Sequence, residues 1–253
     1  MISGTHVHVD IAVALGLAVL CSGCLLAGNY HSAKTLAKGE SSFGLNFSAT
    51  TYEFTSNDDT DRVTLPALLP ELTFHVGLQD NLEIGGRVGF VQLALEADLK
   101  YRLVRSPRFH LAVAPAISGQ SLILISGTSV KLPLIATYEL ADNIAITGSI
   151  FGSTTRYGAV DPDDADEDLA RFSGNLGATG GSFFFEFSGE TFAIRPGVEF
   201  TRYSIDFDDE DDFEEFNTMS IMVHLSWIRG REKQQLDRIE NKLDRMQGYP
   251  QQY

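Results

Sequence analysis

Between residues 39 and 228, apolar side chains recur at every second position in short segments separated by turn residues. The first segment shows the pattern, since Phe43, Leu45 and Phe47 alternate with small polar residues. A two-residue period places successive side chains on opposite faces of a β-strand, whereas a helix has a period of about 3.6 residues. We count ten such segments, and together they predict an all-β, antiparallel, up-and-down barrel.

The connections between the segments differ in length according to the end of the sheet on which they lie. Short turns at 79–81, 105–108, 141–143 and 188–190 alternate with connections at 56–62, 91–92, 119–128, 157–170 and 206–215, most of which are long. Short periplasmic turns and long extracellular loops are typical of membrane barrels. Within the eighth segment, the pair Gly180-Gly181 changes the parity and predicts a β-bulge.

The two faces of the predicted strands carry different side chains. Beside the short turns, the apolar face is aromatic at Phe43, Tyr101, Phe109, Tyr138, Phe187, Phe192 and Trp227. A second belt is predicted at the other strand ends, from Phe54, Phe90, Phe172, Phe200 and Tyr203. The opposite face holds the charged residues Glu83, Arg87, Glu96, Asp98, Lys100, Arg102, Lys131, Glu186, Arg195 and Glu199. A charge that faces lipid costs about 2–4 kcal/mol, so we expect these residues to line a lumen. A soluble barrel with a solvated outer face permits the same charges.

In these features residues 39–228 resemble bacterial outer-membrane β-barrel proteins. The resemblance is architectural: it implies a transmembrane barrel in a Gram-negative outer membrane, with lipid around it, and implies no particular function. Four charges of both signs follow each other from Glu96 to Arg102, and in a narrow barrel such charges favour a plugged or very small pore. Four glycines between 174 and 181 leave a porin-like narrow channel as the alternative.

The N-terminus carries the only long apolar run of the sequence, residues 11–27. The run has the length of a signal-peptide core and is shorter than the roughly 20 residues of a spanning helix. Residues 20–24 resemble a bacterial lipobox, which implies cleavage before Cys24 and lipidation of its thiol. Cleavage a few residues later, with loss of Cys24, is the alternative. We therefore expect a signal peptide at 1–23 and a lipidated linker at 24–38.

The last segment, residues 229–253, loses the two-residue alternation. Apolar residues recur at three-four-three spacing from Leu236 to Met246, which predicts a short helix over 231–247. With an even number of strands, this tail lies in the periplasm. Two heptads are marginal alone, so the helix is a candidate for contact with a periplasmic protein partner, and a frayed amphipathic tail is the alternative.

Composition sets further limits on the class of protein. The 253 residues are 43% hydrophobic and 21% charged, which is too apolar for a disordered chain. The formal net charge of −15 excludes nucleic-acid binding as a first interpretation, because phosphate recognition needs clustered Lys and Arg. Both cysteines lie in the N-terminal apolar run, so the barrel has neither a disulfide nor a cysteine metal site.

Acidic residues gather in three connections, at 58–61, 161–168 and 206–215. The weak candidates for a Ca²⁺ site are Asp161, Asp163, Asp164, Asp166 and Asp168. Ca²⁺ prefers oxygen ligands of this kind, but solvated surface loops account for the same residues. No other cofactor is expected.

Three histidines, His75, His110 and His224, have lumen parity near the short turns. They come from strands two, five and ten, so we interpret them as isolated polar residues of the lumen, and a metal cluster is the alternative. No spacing of Ser, His and Asp identifies a hydrolytic set. We therefore expect a non-enzymatic protein with a structural, surface-interaction or assembly role, and a narrow channel for small solutes is the alternative.

Overall fold

The computed structural model describes residues 31–56, 59–66, 71–90, 93–122, 125–159, 174–207 and 213–230. Most of them lie in twelve strands: β1 Ser41–Ser56, β2 Asp59–Pro66, β3 Glu71–Gln79, β4 Leu82–Gly89, β5 Ala94–Arg105, β6 Phe109–Val113, β7 Ala116–Leu122, β8 Ile125–Ala141, β9 Ile144–Ala159, β10 Gly174–Ser188, β11 Phe192–Phe207 and β12 Phe213–Arg229. Within these ranges no helix has the length and hydropathy needed to cross a bilayer.

The strands form one closed antiparallel sheet. β1 pairs with β12 in constant register from Ser41 opposite Arg229 to Phe54 opposite Phe216, and this pairing closes the barrel. β2 and β3 pair with different parts of β1 and together form one pass of the chain across the wall. β6 and β7 together form another pass, between β5 and β8. The twelve strands therefore make ten passes, and the predicted ten-stranded barrel is confirmed.

Proline lies at both interrupted passes. β2 ends at Pro66, and Pro115 lies between β6 and β7. Proline has no N–H to donate to a strand ladder. Its carbonyl still accepts, since the Leu99 N–H donates to the Pro115 oxygen at 3.0 Å. The wall is therefore continuous at this point.

Side chains alternate between the outer surface and the lumen. The apolar side chains Leu132 and Ile150 are 59% and 65% exposed on the outside, whereas Glu83 and Lys100 are 2% and 4% exposed on the inside. An outer surface covered with exposed leucine, isoleucine and phenylalanine is stable in lipid and unfavourable in water. This architecture is that of an outer-membrane β-barrel.

An aromatic belt surrounds the end of the barrel that carries the short turns. The ring centroids of Phe43 and Phe192 lie 6.3 Å and 5.3 Å from that of Trp227, and all three rings belong to the outer surface. Such rings settle at a membrane interface, and short turns face the periplasm. We call this end the periplasmic end.

The second predicted belt is correct only in part. Phe90 and Phe200 are exposed on the outside, but Tyr203 is buried in the lumen, so its predicted outward position was wrong. The side chain of Phe54 and all of Phe172 lie outside the described residues.

The bulge expected at Gly180-Gly181 was also wrong, because β10 keeps a constant register with β9 and β11 through both glycines. The parity changes in the sequence because Leu176 and Ala178 are apolar residues of the lumen face. The register instead shifts beside three short turns, at Gly77/Gln79, Arg102/Val104 and Glu139/Ala141.

Two predicted long connections are largely strand. Ser56 lies opposite Asp59, and Leu122 lies opposite Ile125, so β1 and β2, and β7 and β8, are joined by two residues each. The predicted connections at 56–62 and 119–128 are rich in Ser, Thr, Gly and Asp, so the alternation that marks the other strands is weak there.

Candidate functional site

A β-turn at the periplasmic end sends the chain before β1 back into the barrel. The Glu40 N–H donates to the Ala37 carbonyl at 2.9 Å, and Gly39 has a φ of +83°. A type II turn requires a positive φ at its third residue, and glycine adopts it without strain. Residues 31–40, which we call the plug, therefore contact the inner wall. They include the second half of the expected linker, whose first residues, 24–30, lie outside the described part.

The base of the plug joins the wall through its backbone. The Gly39 N–H donates to the Gly77 carbonyl, and the Gly77 N–H donates to the Glu40 carbonyl, both at 2.9 Å. A Cβ at position 77 would lie only 2.2 Å from the Ala37 carbonyl oxygen. Glycine at this position therefore lets the plug approach the strand closely.

Lys34 connects the plug to two carboxylates of the wall. Its Nζ lies 2.9 Å from an oxygen of Glu186 and 3.4 Å from an oxygen of Glu139. Glu186 is buried, and its other oxygen accepts a hydrogen bond from Arg195 Nε at 2.7 Å. Loss of one partner of a fully buried ion pair costs about 3–5 kcal/mol, and the loss here is smaller because Lys34 is 28% exposed and Glu186 keeps Arg195.

A second ion pair holds the plug backbone. One oxygen of Glu83 accepts from the Leu36 N–H at 2.8 Å, and the other lies 2.9 Å from Lys100 Nζ. Lys100 Nζ also lies 3.2 Å from the Ser32 carbonyl, to which it donates. Two backbone groups of the plug thus obtain their hydrogen bonds from buried side chains of the wall.

Ala33 is the fully buried apolar contact of the plug. It packs with Ala112, Ala114 and Ile135, and its N–H donates to Thr137 Oγ1 at 2.8 Å. Small side chains on both sides bring the two surfaces close together. The plug therefore occupies this level of the lumen with little free space.

Two small cavities border the plug in the described part of the barrel. One of about 50 Å³ is lined by His31, His75 and Arg195 among others, and one of about 10 Å³ lies between His31, Asp98 and Lys131. One water molecule needs roughly 10–15 Å³ of such space. The cavities therefore have room for a few waters and are too small for a solute path.

Above the plug, Arg87 binds carboxylates of two other strands. Its Nη2 donates to both oxygens of Glu96, at 2.9 Å and 3.0 Å, and its Nη1 lies 3.5 Å from Glu71. One guanidinium nitrogen therefore contacts both oxygens of Glu96, and both hydrogen bonds are charge-assisted. Arg87 thus connects β4 with both of its neighbours.

Arg195 belongs to a second network of the wall. Its Nη1 lies 3.0 Å from His224 Nδ1 and donates to Ser226 Oγ at 3.2 Å. On its other side, His224 Nε2 lies 3.1 Å from Thr73 Oγ1. This network extends from β11 across β12 and β1 to β3.

The remaining predicted lumen charges lie at different heights. Lys131 Nζ lies 5.1 Å from the ring centroid of Phe151. Glu199 is buried and accepts a hydrogen bond from Thr201 at 3.4 Å. Arg102 instead lies at the periplasmic rim, where its guanidinium donates to the Asp80 carbonyl at 2.5 Å. Arg102 keeps the predicted lumen parity, because it lies opposite the buried residue Ala112 and the register shifts only after it.

His75 reaches across one strand to Asp98. Gly85 lies opposite His75 on one side and opposite Asp98 on the other, and a Cβ at position 85 would fall 1.7 Å from the His75 ring. The glycine leaves room for the ring, whose Nε2 lies 3.2 Å from Asp98 Oδ2. The His31 ring of the plug packs edge-on against His75, with centroids 4.6 Å apart.

Within the described residues, the three histidines singled out in the sequence lie in different environments. His75 joins His31, His224 joins the Arg195 network, and His110 Nε2 lies 3.3 Å from Glu139. His31 was missed because it precedes β1, where no alternation marks a strand. The turn dipeptide Lys38-Gly39 was the available signal that the chain reverses there.

Aromatic and apolar side chains form part of the lumen wall in the extracellular half. Tyr203 and Phe216 are buried and stacked, with centroids 4.7 Å apart and an interplanar angle of 19°, and buried Tyr52 belongs to the adjacent strand β1. Leu176 and Ala178 also face inward. Side chains of the wall pack against one another here.

Several predicted sites lie outside the described residues. They are Cys24, the acidic residues Asp161, Asp163, Asp164, Asp166 and Asp168, and the tail at 231–247.

No family model and no curated protein matches this chain. Among solved structures, the attachment invasion locus protein Ail of Yersinia pestis is 10% identical, with a TM-score of 0.30 over 76% of this chain and 99% of that one. An outer-membrane channel from Pseudomonas putida F1 is 13% identical, with a TM-score of 0.43 over 81% and 99%. The outer-membrane protease OmpT from Escherichia coli is 8% identical, with a TM-score of 0.36 over 78% and 99%. These likenesses assign no residue or activity to this chain.

Proposed function

We propose that this protein is a non-enzymatic barrel of the bacterial outer membrane that is closed by its own plug and has a structural, surface-interaction or assembly role. One observation carries the proposal: the plug lies in the lumen, with Ala33 fully buried and Lys34 paired with two wall carboxylates. A barrel closed in this way offers its outer surfaces and loops to partners.

The buried charges support a role without catalysis. Glu83 and Lys100 bind the plug backbone, and Glu186 binds Lys34. Catalytic sites instead keep charged groups directed at a cleft where substrate can reach them. The charges at the plug are occupied in holding the plug in place.

A narrow channel for small solutes is the second candidate. It is favoured by the character of the plug contacts, which are mainly ion pairs and hydrogen bonds from residues such as Lys34 and Ala33. A segment held by polar contacts can leave an aqueous lumen without exposing large apolar surface. In this form of the proposal, the barrel conducts when the plug withdraws.

Three further parts belong to the proposal. Lipidation of Cys24 adds an anchor in outer-membrane lipid. The carboxylates of residues 161–168 act as solvated charges, and Ca²⁺ binding is the alternative. Residues 231–247 contact a periplasmic protein partner.

Single-channel recording on the full-length protein tests the closure. We expect no steady current steps from the full-length barrel, and reproducible steps after deletion of residues 31–38. Truncation after Gly230 is the matched control, because it removes a terminal segment that is not part of the plug and should leave the barrel closed. Equal steps from the full-length and plug-deleted proteins would overturn the closed-barrel proposal and favour an open channel.

Cell fractionation with a heat-modifiability gel tests the location and the anchor. We expect recovery in the outer membrane with a heat-dependent band shift, and loss of acyl labelling in Cys24→Ser. Recovery in the soluble periplasm would contradict the location, and unchanged acyl labelling would contradict the anchor at Cys24.

A further inference from the structure

We propose that His31, His75 and Asp98 form a binding site for a divalent transition-metal ion of the zinc class, which joins the plug to two strands of the wall. None of the three residues serves in the ion pairs that hold Lys34 or the plug backbone. The proposal rests on their geometry, their burial and the charge that they leave uncompensated.

The three side chains converge on one point. Their potential ligand atoms all lie within 4.8 Å of one another, and His75 Nε2 and Asp98 Oδ2 are 3.2 Å apart. Zinc binds imidazole nitrogen at about 2.0–2.1 Å and carboxylate oxygen at about 2.0–2.2 Å, which separates two tetrahedral ligands by about 3.4 Å. The two wall residues therefore already have the right separation, and the set is complete when the widest separation, at most 4.8 Å, closes by about 1.4 Å.

The fold holds the wall ligands in place. Because Gly85 lies between their strands and carries no side chain, the His75 ring can lie over β4 and point at Asp98. His31 is brought to the same point by the plug, whose neighbouring residue Ser32 is bound by Lys100. The third ligand thus depends on the plug being in the lumen.

The buried carboxylate of Asp98 has no Lys or Arg partner among the ion pairs of the described residues. Glu83 and Glu96 pair with Lys100 and Arg87, whereas the one hydrogen bond or ion pair found for Asp98 within the described residues is with His75. Asp98 is 5% exposed, and its Oδ1 has no hydrogen-bond partner in that part of the chain. A buried carboxylate without a permanent cation is unfavourable, and a divalent ion would compensate it.

The ligand types select the class of ion. Two imidazoles and one carboxylate suit Zn²⁺ and similar first-row ions, whereas Ca²⁺ and Mg²⁺ are bound mainly by oxygen. His31 and His75 also line the cavity of about 50 Å³, which has room for a water molecule as a fourth ligand.

This site would fasten the plug to β3 and β5, and that consequence rests on the proposed closure. Bound metal would stabilise the plugged state, because the ligand set is complete only when the plug is in place. Metal binding itself can be measured without any assumption about conductance.

Zinc titration of the purified full-length protein, folded in detergent and without a histidine tag, tests the site. We expect one Zn²⁺ per barrel by calorimetry, and Co²⁺ should give the visible absorption of a low-symmetry site. His31→Ala, His75→Ala and Asp98→Asn should each weaken binding by more than about tenfold, the loss that even an outer partner of a ligand can cause. His110→Ala is the matched control, since it removes a buried histidine of the lumen outside the cluster, and binding should be unchanged.

The variants and outcomes keep the two proposals separate. His31 lies on the plug, so His31→Ala should keep the heat-modifiable band of the folded barrel even if His75→Ala does not fold. Absence of stoichiometric Zn²⁺ binding, or binding that survives in folded His31→Ala, would overturn the metal site. Recordings in chelator then test closure alone: a barrel that stays closed without metal keeps the plug proposal, whatever the titration shows.

Discussion

The two halves of the lumen are filled in different ways. In the periplasmic half, wall residues such as Glu186 and Lys100 bind a separate segment, the plug, through ion pairs and hydrogen bonds. In the extracellular half, wall residues such as Tyr203 and Phe216 pack against one another. The first arrangement holds a separate segment of the chain, and the second joins residues of the wall itself.

The two kinds of contact suit the two halves of the barrel to different roles. Polar contacts can be exchanged for water when a segment leaves, so the periplasmic half is suited to a change of state. Buried aromatic contacts lose their stabilisation when separated, so the extracellular half is suited to fixing the shape. The predictions below test this division, in order of expected effect.

Charge reversal at Lys34 should have the largest effect on the plug. Lys34→Glu places a third carboxylate beside Glu186 and Glu139, and we expect the plug to lose up to about 3–5 kcal/mol of docking free energy, the cost of an uncompensated buried charge. Single-channel recording should then show current steps in an otherwise folded barrel.

A matched reversal in the other half serves as the control. Arg202→Glu disrupts an exposed ion pair with Glu215, and exposed pairs contribute only about 0–1 kcal/mol. We expect no conductance from this variant. Equal conductance from both reversals would contradict the division between the halves.

Filling the space at Gly85 should have an intermediate effect. In Gly85→Ala the new Cβ meets the His75 ring, so we expect a loss of about 1–3 kcal/mol in the free energy of unfolding and weaker Zn²⁺ binding. Urea unfolding, followed by the fluorescence of the single tryptophan, Trp227, measures the stability. Gly152→Ala is the control, since nothing lies within 4 Å of a Cβ there, and its change should stay within about 0.5 kcal/mol. Similar losses in both variants would refute the crowding at position 85.

The smallest effect should come from the aromatic pair of the extracellular half. A double-mutant cycle with Tyr203→Leu and Phe216→Leu should give a coupling of about 0.5–1.5 kcal/mol in unfolding free energy. Because the plug is untouched, the recordings should stay silent. Current steps from these variants would show that the extracellular half also controls passage.

The barrel could be predicted from sequence because a membrane barrel repeats one simple pattern. Outward residues such as Leu132 and Ile150 must be apolar in lipid. Their alternation with polar residues marks each strand and therefore gives the number of strands. The pattern fails at Leu176 and Ala178, because the lumen residues there are apolar and the outer residues Asn175 and Thr179 are polar. That is why a bulge was expected there.

The plug and its histidine could not be predicted in the same way. Residues 31–40 have no periodicity, because an irregular segment takes its hydrogen bonds from whichever side chains surround it. Ser32 is bound by Lys100 from a strand 68 positions away in sequence, and no local signal carries that information. The grouping of His31 with His75 and Asp98 therefore required the three-dimensional structure.

The plug and the closing strand pair of the barrel are adjacent in the sequence and in space. β1 begins directly after Glu40 and supplies one side of the pairing with β12. At the end of β12, a Cβ on Gly230 would lie 3.2 Å from the Gly39 carbonyl oxygen, inside the turn of the plug. A force that separates β1 from β12 therefore also acts on that turn. Lateral opening of the barrel between these two strands is thus mechanically coupled to withdrawal of the plug.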